Sequence, residues 1–280
     1  MTDGLLTALY ALGATLAWGS GDFSGGLVSR HHNVYSVLLT AQLISVIPLL
    51  LLAVSFEQVI PRNEDLLLGG LGGFCGIIGL RNLYLGLAKG RMSIVAPLSA
   101  IISSVIPVLL GILADGLPSP LQFSGFALAL VAVGLLSTNG QGFDVRLLEL
   151  RFAAMSGVGF AFFFVFLDRV SGETILWPVL AARISSLIAL SLYTVSCRQW
   201  QRPARSLLPL ITLAGLLDTA GNYCFAMAAQ SGRLDIATII SCLYPGITVI
   251  LARAILKERL QRKQWFGIWA AFIAIVMIVY

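Results

Sequence analysis

Four ionisable side chains stand inside long apolar stretches of this sequence: Asp22, Arg81, Arg183 and Asp218. A charge at bilayer depth is expensive, so such a group faces a cavity or a partner. A carboxylate there takes a proton or a cation, whereas a guanidinium grips a carboxylate through a planar fork of donors. Asp218 has about eleven apolar-run residues on either side, which at about 1.5 Å each leaves it roughly 16 Å from both ends. No short carboxylate reaches water over that distance by stretching. Asp218 is therefore expected to line a cavity, with Asn222 one turn later and Tyr223 beside it, and to bind a ligand or a proton there. Asp22 lies in the glycine-rich run WGSGDFSGG and shares a helical face with Trp18, so it is expected to cap a helix break or to line the same cavity. Arg183 is deep and reads as a partner for an acidic residue on another helix or for the ligand. Arg81, about two turns from a helix end, is close enough to extend towards water.

Other chemistries have no visible apparatus. There is no HExxH, no GxSxG and no phosphate-cradling lysine loop, and the two histidines, His31 and His32, are neighbours in a turn. Cys75, Cys197, Cys224 and Cys242 are far apart and form no CxxC pair, so neither a metal site nor a disulfide framework is expected. The chain reads as a non-enzyme without a cofactor. The competing reading, a membrane-embedded enzyme acting on a lipid-borne substrate, requires a nucleophile, base or metal cluster at the membrane boundary, and the sequence offers none.

The elements that must hold these residues follow from composition. Of 280 residues, 58% are apolar and 11% charged, against about 25% charged in soluble domains. With a mean hydropathy of +0.92, much of the surface must be solvated by lipid. A net charge of +5 is spread singly over short connections, which excludes a nucleic-acid face. Apolar lengths near the roughly 20 residues needed to span a bilayer predict ten helices: 5–29, 34–55, 66–87, 94–114, 121–138, 152–168, 175–193, 207–229, 236–256 and 265–280. The first lacks a basic leader and reads as a retained helix. Pro48, Pro97, Pro107, Pro178, Pro209 and Pro245 mark kinks or helix starts. Gly69, Gly72, Gly73, Gly76 and Gly79 give the third helix small-residue spacings suited to close packing.

The polar run 139–151 divides the chain into units 1–138 and 152–280. A shift of 142 positions lays Gly73 on Gly215, Gly79 on Gly221, Gly90 on Gly232, Arg91 on Arg233, Ser99 on Ser241 and Gly125 on Gly267. Gly90 and Gly232 are expected as left-handed residues just past a helix, with Ser93 and Asp235 as the next N-caps. Five is odd, so two fused copies enter the membrane from opposite sides and form an inverted repeat. Connections after the odd-numbered helices hold Arg30; Lys89 and Arg91; Arg146 and Arg151; Arg198, Arg202 and Arg205; and Lys257, Arg259, Arg262 and Lys263, against Arg62, Arg169 and Arg233 on the other side. The positive-inside rule then makes the first set cytoplasmic and places both termini outside, in a multi-pass protein of the cell membrane.

The run LAWGSGDFSGGLVSR resembles the opening helix of the EamA family in the drug/metabolite transporter superfamily. ILKERLQRKQWFGIWAAFIAIVMIV is similar to the end of that family's repeat, with Lys257 in place of a glycine, and ILADGLPSPLQFSGFALALVAVGLL to its first-half counterpart, where Gly116 stands opposite Glu258. The resemblance implies an all-α integral membrane protein of ten transmembrane helices in two inverted five-helix repeats. It further implies a carrier, often an exporter, of a small metabolite, amino acid or drug-like solute, with lipids as its surroundings and no nucleic acid as partner. Helices one, three, six, eight and nine line the cavity in that family, which adds Trp18, Tyr84, Phe164, Tyr223 and Tyr244 to the candidate lining beside Asp22, Arg81, Arg183, Asp218 and Asn222.

Overall fold

A computed structural model describes residues 2–57, 59, 61–90, 92–136, 146–256 and 262–279, without side chains at 2, 3, 92, 93, 136, 252, 253 and 256. The chain forms α1 (Thr2–Ser29), α2 (Val34–Phe56), α3 (Asn63–Lys89), α4 (Met92–Asp115), α5 (Pro120–Leu136), α6 (Leu147–Asp168), α7 (Leu176–Ser196), α8 (Leu208–Ser231), α9 (Leu234–Ser241), α10 (Tyr244–Leu256) and α11 (Arg262–Val279). Among the described residues eight stretches are long and apolar enough to cross a membrane, and Pro120–Leu135 is a shorter apolar helix. Helices suit this solvent because every backbone bond is closed within the segment. Ile47, Leu51, Leu192 and Phe266 are 63–68% exposed, an outer surface that lipid covers at no cost.

Several boundaries differ from the sequence reading. Residues 147–151 of the expected linker belong to α6, where the Glu149 carboxylate accepts the Arg146 N–H at 3.0 Å and fixes an earlier start. Helix nine is two pieces, α9 and α10, broken at Cys242 and Leu243 just before Pro245, which has no N–H to continue the ladder. Arg233 holds the N-cap position of α9 and Asp235 lies inside its first turn, so Asp235 is not the cap. Gly90 and Gly232 are extended rather than left-handed, with φ of −120° and 175°. Their need is close approach: a Cβ on Gly90 would press on the Gly86 carbonyl and the Glu149 side chain, and one on Gly232 on Thr7. Arg91, residues 139–145 of the linker, and Lys257, Glu258 and Arg259 lie outside the described residues.

Packing repeats itself between the halves. α1 runs along α8 as α6 runs along α3; α9 and α10 lie on α1 as α4 lies on α6; α2 meets α8 as α7 meets α3; and α5 faces α11. Both central pairs are antiparallel, since Thr7, Gly13 and Trp18 meet Gly232, Cys224 and Gly221, while Gly79, Gly86 and Gly90 meet Phe160, Phe152 and Glu149. The contact Gly79 to Phe160 becomes Gly221 to Trp18 under the 142-residue shift, and Gly90 to Glu149 becomes Gly232 to Thr7. Where α3 crosses α7, a Cβ on Gly73 would collide with the Ala182 backbone; where α8 crosses α2, one on Gly215 would collide with that of Ala41. α3 thus has two glycine faces, Gly69 and Gly73 towards α7 and Gly72, Gly76 and Gly79 towards α6.

The connections gather on two opposite ends of the bundle. At one end Gln201 N–H donates to Ser36 Oγ at 2.8 Å, joining the α7–α8 connection to the first turn of α2. At the other, the Glu57 carboxylate accepts the N–H groups of Ile175, Leu176 and Trp177 at 2.7, 2.8 and 3.3 Å, supplying from the other half the N-cap that α7 lacks. Asp65 accepts from Ser171 N–H and Oγ–H at 2.9 and 2.6 Å. Arg233, paired with Asp235 at 2.7 Å, donates to the carbonyls of Asp115 and Gly116 past the end of α4.

Candidate functional site

The two central antiparallel pairs border a central cavity. Its polar wall comes from α1, α2, α7 and α8, through Asp22, Gln42, Arg183, Ser186, Asp218 and Asn222. The facing wall is apolar, built by Gly73, Gly76, Ile77 and Leu80 of α3 and Phe160, Phe163 and Phe164 of α6. Trp18, Ala182 and Tyr244 complete the lining.

Arg183 organises the polar wall. Its Nη1 lies 2.7 Å from Asp218 Oδ2 and also donates to Gln42 Oε1; its Nη2 donates to Thr219 Oγ1 at 2.6 Å. The Thr219 hydroxyl in turn donates a hydrogen bond to the Gly215 carbonyl at 2.9 Å, one turn back. One guanidinium thereby ties α7 to both α2 and α8. Its side chain is 2% exposed, while that of Asp218 is 19% exposed and borders the open space. Asp22 borders the same space with no ion pair or hydrogen bond among the described residues.

One end of the space is filled with rings. Trp18 donates through Nε1 to Asn222 Oδ1 at 3.0 Å and stacks on Phe164 at 5.6 Å between centroids; Phe225, with no exposed surface, lies 4.5 Å from Phe164 and 5.7 Å from Trp18. Trp18 precedes Asp22 by one turn and Phe225 follows Asp218 by two. Because α1 and α8 are antiparallel, the cluster lies to one side of the carboxylates.

Of the ten candidate residues, Trp18, Asp22, Phe164, Arg183, Asp218, Asn222 and Tyr244 border this cavity. Three do not. Tyr223 is five residues from Asp218, about 140° around the helix, and so faces away when Asn222, about 40° away, faces in. Tyr84 is buried behind the lining against Gly25. Arg81 turns outward and is held by two phenols: Nη2 donates to Tyr35 and Tyr193 oxygens at 2.9 and 3.1 Å, with the rings 5.3 and 4.8 Å from its carbon. Gln42, Ser186, Phe160 and Phe163 were not singled out from sequence. Gln42 was findable as a lone amide in an apolar run, and Phe160 as the partner of Trp18 under the 142-residue shift. Among the described residues no group of three or more His, Cys, Asp or Glu is placed to hold a metal ion.

The EamA-like transporter family matches residues 5–138 and, separately, residues 147–280, the second match beginning 142 positions after the first. The chain belongs to the EamA-like transporter family. The displacement between its two EamA matches is the one that relates the helix contacts described above. Among solved structures, one titled "Crystal structure of protein" resembles this EamA chain with a TM-score of 0.78 over 97% of each chain at 15% identity, a likeness of fold. No curated protein matches.

Proposed function

We propose that this EamA protein is a secondary carrier that moves a small amphipathic solute by alternating access, as an exporter or exchanger coupled to protons, through the cavity between its halves. The observation that carries this reading is the cavity itself: ionised groups and an aromatic wall, contributed by both repeats, meet where the two central helix pairs face each other. Residues 1–138 and 152–280 are the repeats and 139–151 the linker, with ten crossings in all and α9 and α10 sharing one. Inversion has a geometric support. α1 is antiparallel to α8, and α8 runs parallel to α6 if each intervening helix crosses the membrane, so α1 opposes its own equivalent, α6. An axis that relates them is perpendicular to the helices and lies in the membrane plane. The lysines and arginines at the end of the bundle bearing Arg30, Lys89, Arg151 and Arg198 make that end cytoplasmic and put both termini outside.

Purified protein in liposomes tests the reading. An imposed pH gradient is expected to drive saturable accumulation of at least one solute from a panel of amino acids, nucleosides and amines, without chemical change to the solute. Chemical conversion of a lipid or solute, or no flux across the panel, would reject the carrier.

A further inference from the structure

We infer that the solute is a small organic monocation, an ammonium attached to an apolar or aromatic body, with Asp22 as its counter-charge. The inference rests on reading the central cavity as the solute site. Three ionisable side chains border it, and two of them, Arg183 and Asp218, cancel across 2.7 Å. Asp22, 8% exposed, is left over, and the charge that acts on it is the like charge of Asp218. A carboxylate so placed is stable when it carries a proton or meets a cation. When Asp22 gives up its proton the chamber carries one uncompensated negative charge, which selects a monocation.

Anionic and zwitterionic solutes fit less well, because their carboxylate would need a free guanidinium. Arg183 commits Nη1 to Asp218 and Gln42 and one Nη2 N–H to Thr219, its Nε is sealed from the cavity, and the whole side chain is only 2% exposed. The aromatic lining supplies the second half of the recognition. Trp18 shares the Asp22 face of α1, and ring faces attract an ammonium while accepting the apolar body. The duplication then divides the chamber. Under the 142-residue shift Asp22 falls on Phe164, Asp218 on Gly76 and Asn222 on Leu80, and all six border the same space. Equivalent positions are polar in one pair of helices and apolar in the other, which suits a solute with one charged and one apolar end.

The test is equilibrium binding of radiolabelled phenyltrimethylammonium and tetraphenylphosphonium to the purified full chain, with 3-phenylpropionate and tert-butylbenzene as anionic and neutral probes. Wild-type protein is expected to bind at least one cation saturably and neither of the other probes. Asp22→Asn is expected to weaken cation binding about 30-fold or more, and Asp22→Glu to restore most of it. Phe164→Ala is expected to weaken every probe that binds. Undiminished cation binding by Asp22→Asn, or no saturable binding of either cation by wild type, would overturn the inference. Binding of 3-phenylpropionate that Phe164→Ala abolishes would reject the cation and keep the cavity as the solute site. Binding untouched by Phe164→Ala would reject both.

Discussion

Removing the Asp218 charge leaves the Arg183 guanidinium buried with two neutral acceptors, Gln42 and Thr219, and no counter-ion. Breaking a buried pair from one side costs about 3–5 kcal/mol. The Asp218 side chain is 19% exposed to the cavity, so water recovers part of the loss and the lower end applies, about 3 kcal/mol. At about 2–4 °C per kcal/mol, Asp218→Asn is expected to lower the unfolding midpoint by about 6–12 °C. Arg183→Met strands the more exposed partner and is expected to cost less. The double variant Arg183→Met/Asp218→Asn removes both charges at nearly constant volume, and is expected within about 1 kcal/mol of wild type. A positive coupling of about 2 kcal/mol or more between the two positions follows. The assay is thermal unfolding of all four proteins in one detergent, with solute exchange measured in liposomes. The double variant should be folded and should not transport. Single effects that simply add, with coupling under about 0.5 kcal/mol, would refute the pair as the tie among α2, α7 and α8.

Gly73→Ala is expected to cost about 1–3 kcal/mol through the Ala182 backbone, while Gly70→Ala, with nothing near its missing Cβ, changes little; thermal unfolding separates the two. Glu57→Gln is expected to cost about 1 kcal/mol at the start of α7 and to speed amide hydrogen exchange at Ile175, Leu176 and Trp177; unchanged exchange there would count against the cap. For topology, an impermeant thiol reagent applied to intact cells is expected to modify a cysteine introduced at Thr2 and to spare native Cys197, which is exposed; the reverse would invert the orientation.

The fold was legible because lipid solvation leaves a strong mark: apolar runs of bilayer length, punctuated by single basic residues, and glycines recurring at one displacement. Cavity-lining residues were legible where cost betrayed them. Asp22, Arg183 and Asp218 could not have been retained at that depth without a cavity or a partner, and all three border the cavity. Arg81 shows the limit of that reasoning, since cost predicts a partner and does not say which; two phenols near the helix end take its Nη2 instead. Phe160 and Phe163 carry no cost at all in an apolar helix; the repeat relation to Trp18 points to Phe160, and only its place opposite Gly76 distinguishes Phe163 from a packing residue.

The same duplication compares the two ends of the bundle directly. Glu57 falls on Gln199 under the 142-residue shift, and Ile175 on Asn33 with the halves exchanged. At one end a carboxylate grips the start of α7 through three N–H groups, the nearest at 2.7 Å; at the equivalent place a neutral amide, Gln199, meets Asn33 Nδ2 at 3.4 Å, and α2 is capped by Asn33 itself. The charged tie is joined by Asp65 to Ser171 and by Arg233 to the end of α4, each also crossing between halves. The Glu57 end is therefore the more firmly closed. On the carrier reading, opening it means breaking three charge-assisted sets of hydrogen bonds between carboxylate or guanidinium and backbone or hydroxyl, whereas the Gln199 end is held across the halves by neutral amides and by the Arg81 to Tyr193 bond at 3.1 Å. Two chemically identical repeats would give both openings the same energy. On the proposed carrier and topology, the replacement of carboxylate by amide at one of two equivalent positions is expected to bias the resting protein towards access from the Gln199 end, the proposed cytoplasmic end, from which an exporter must load.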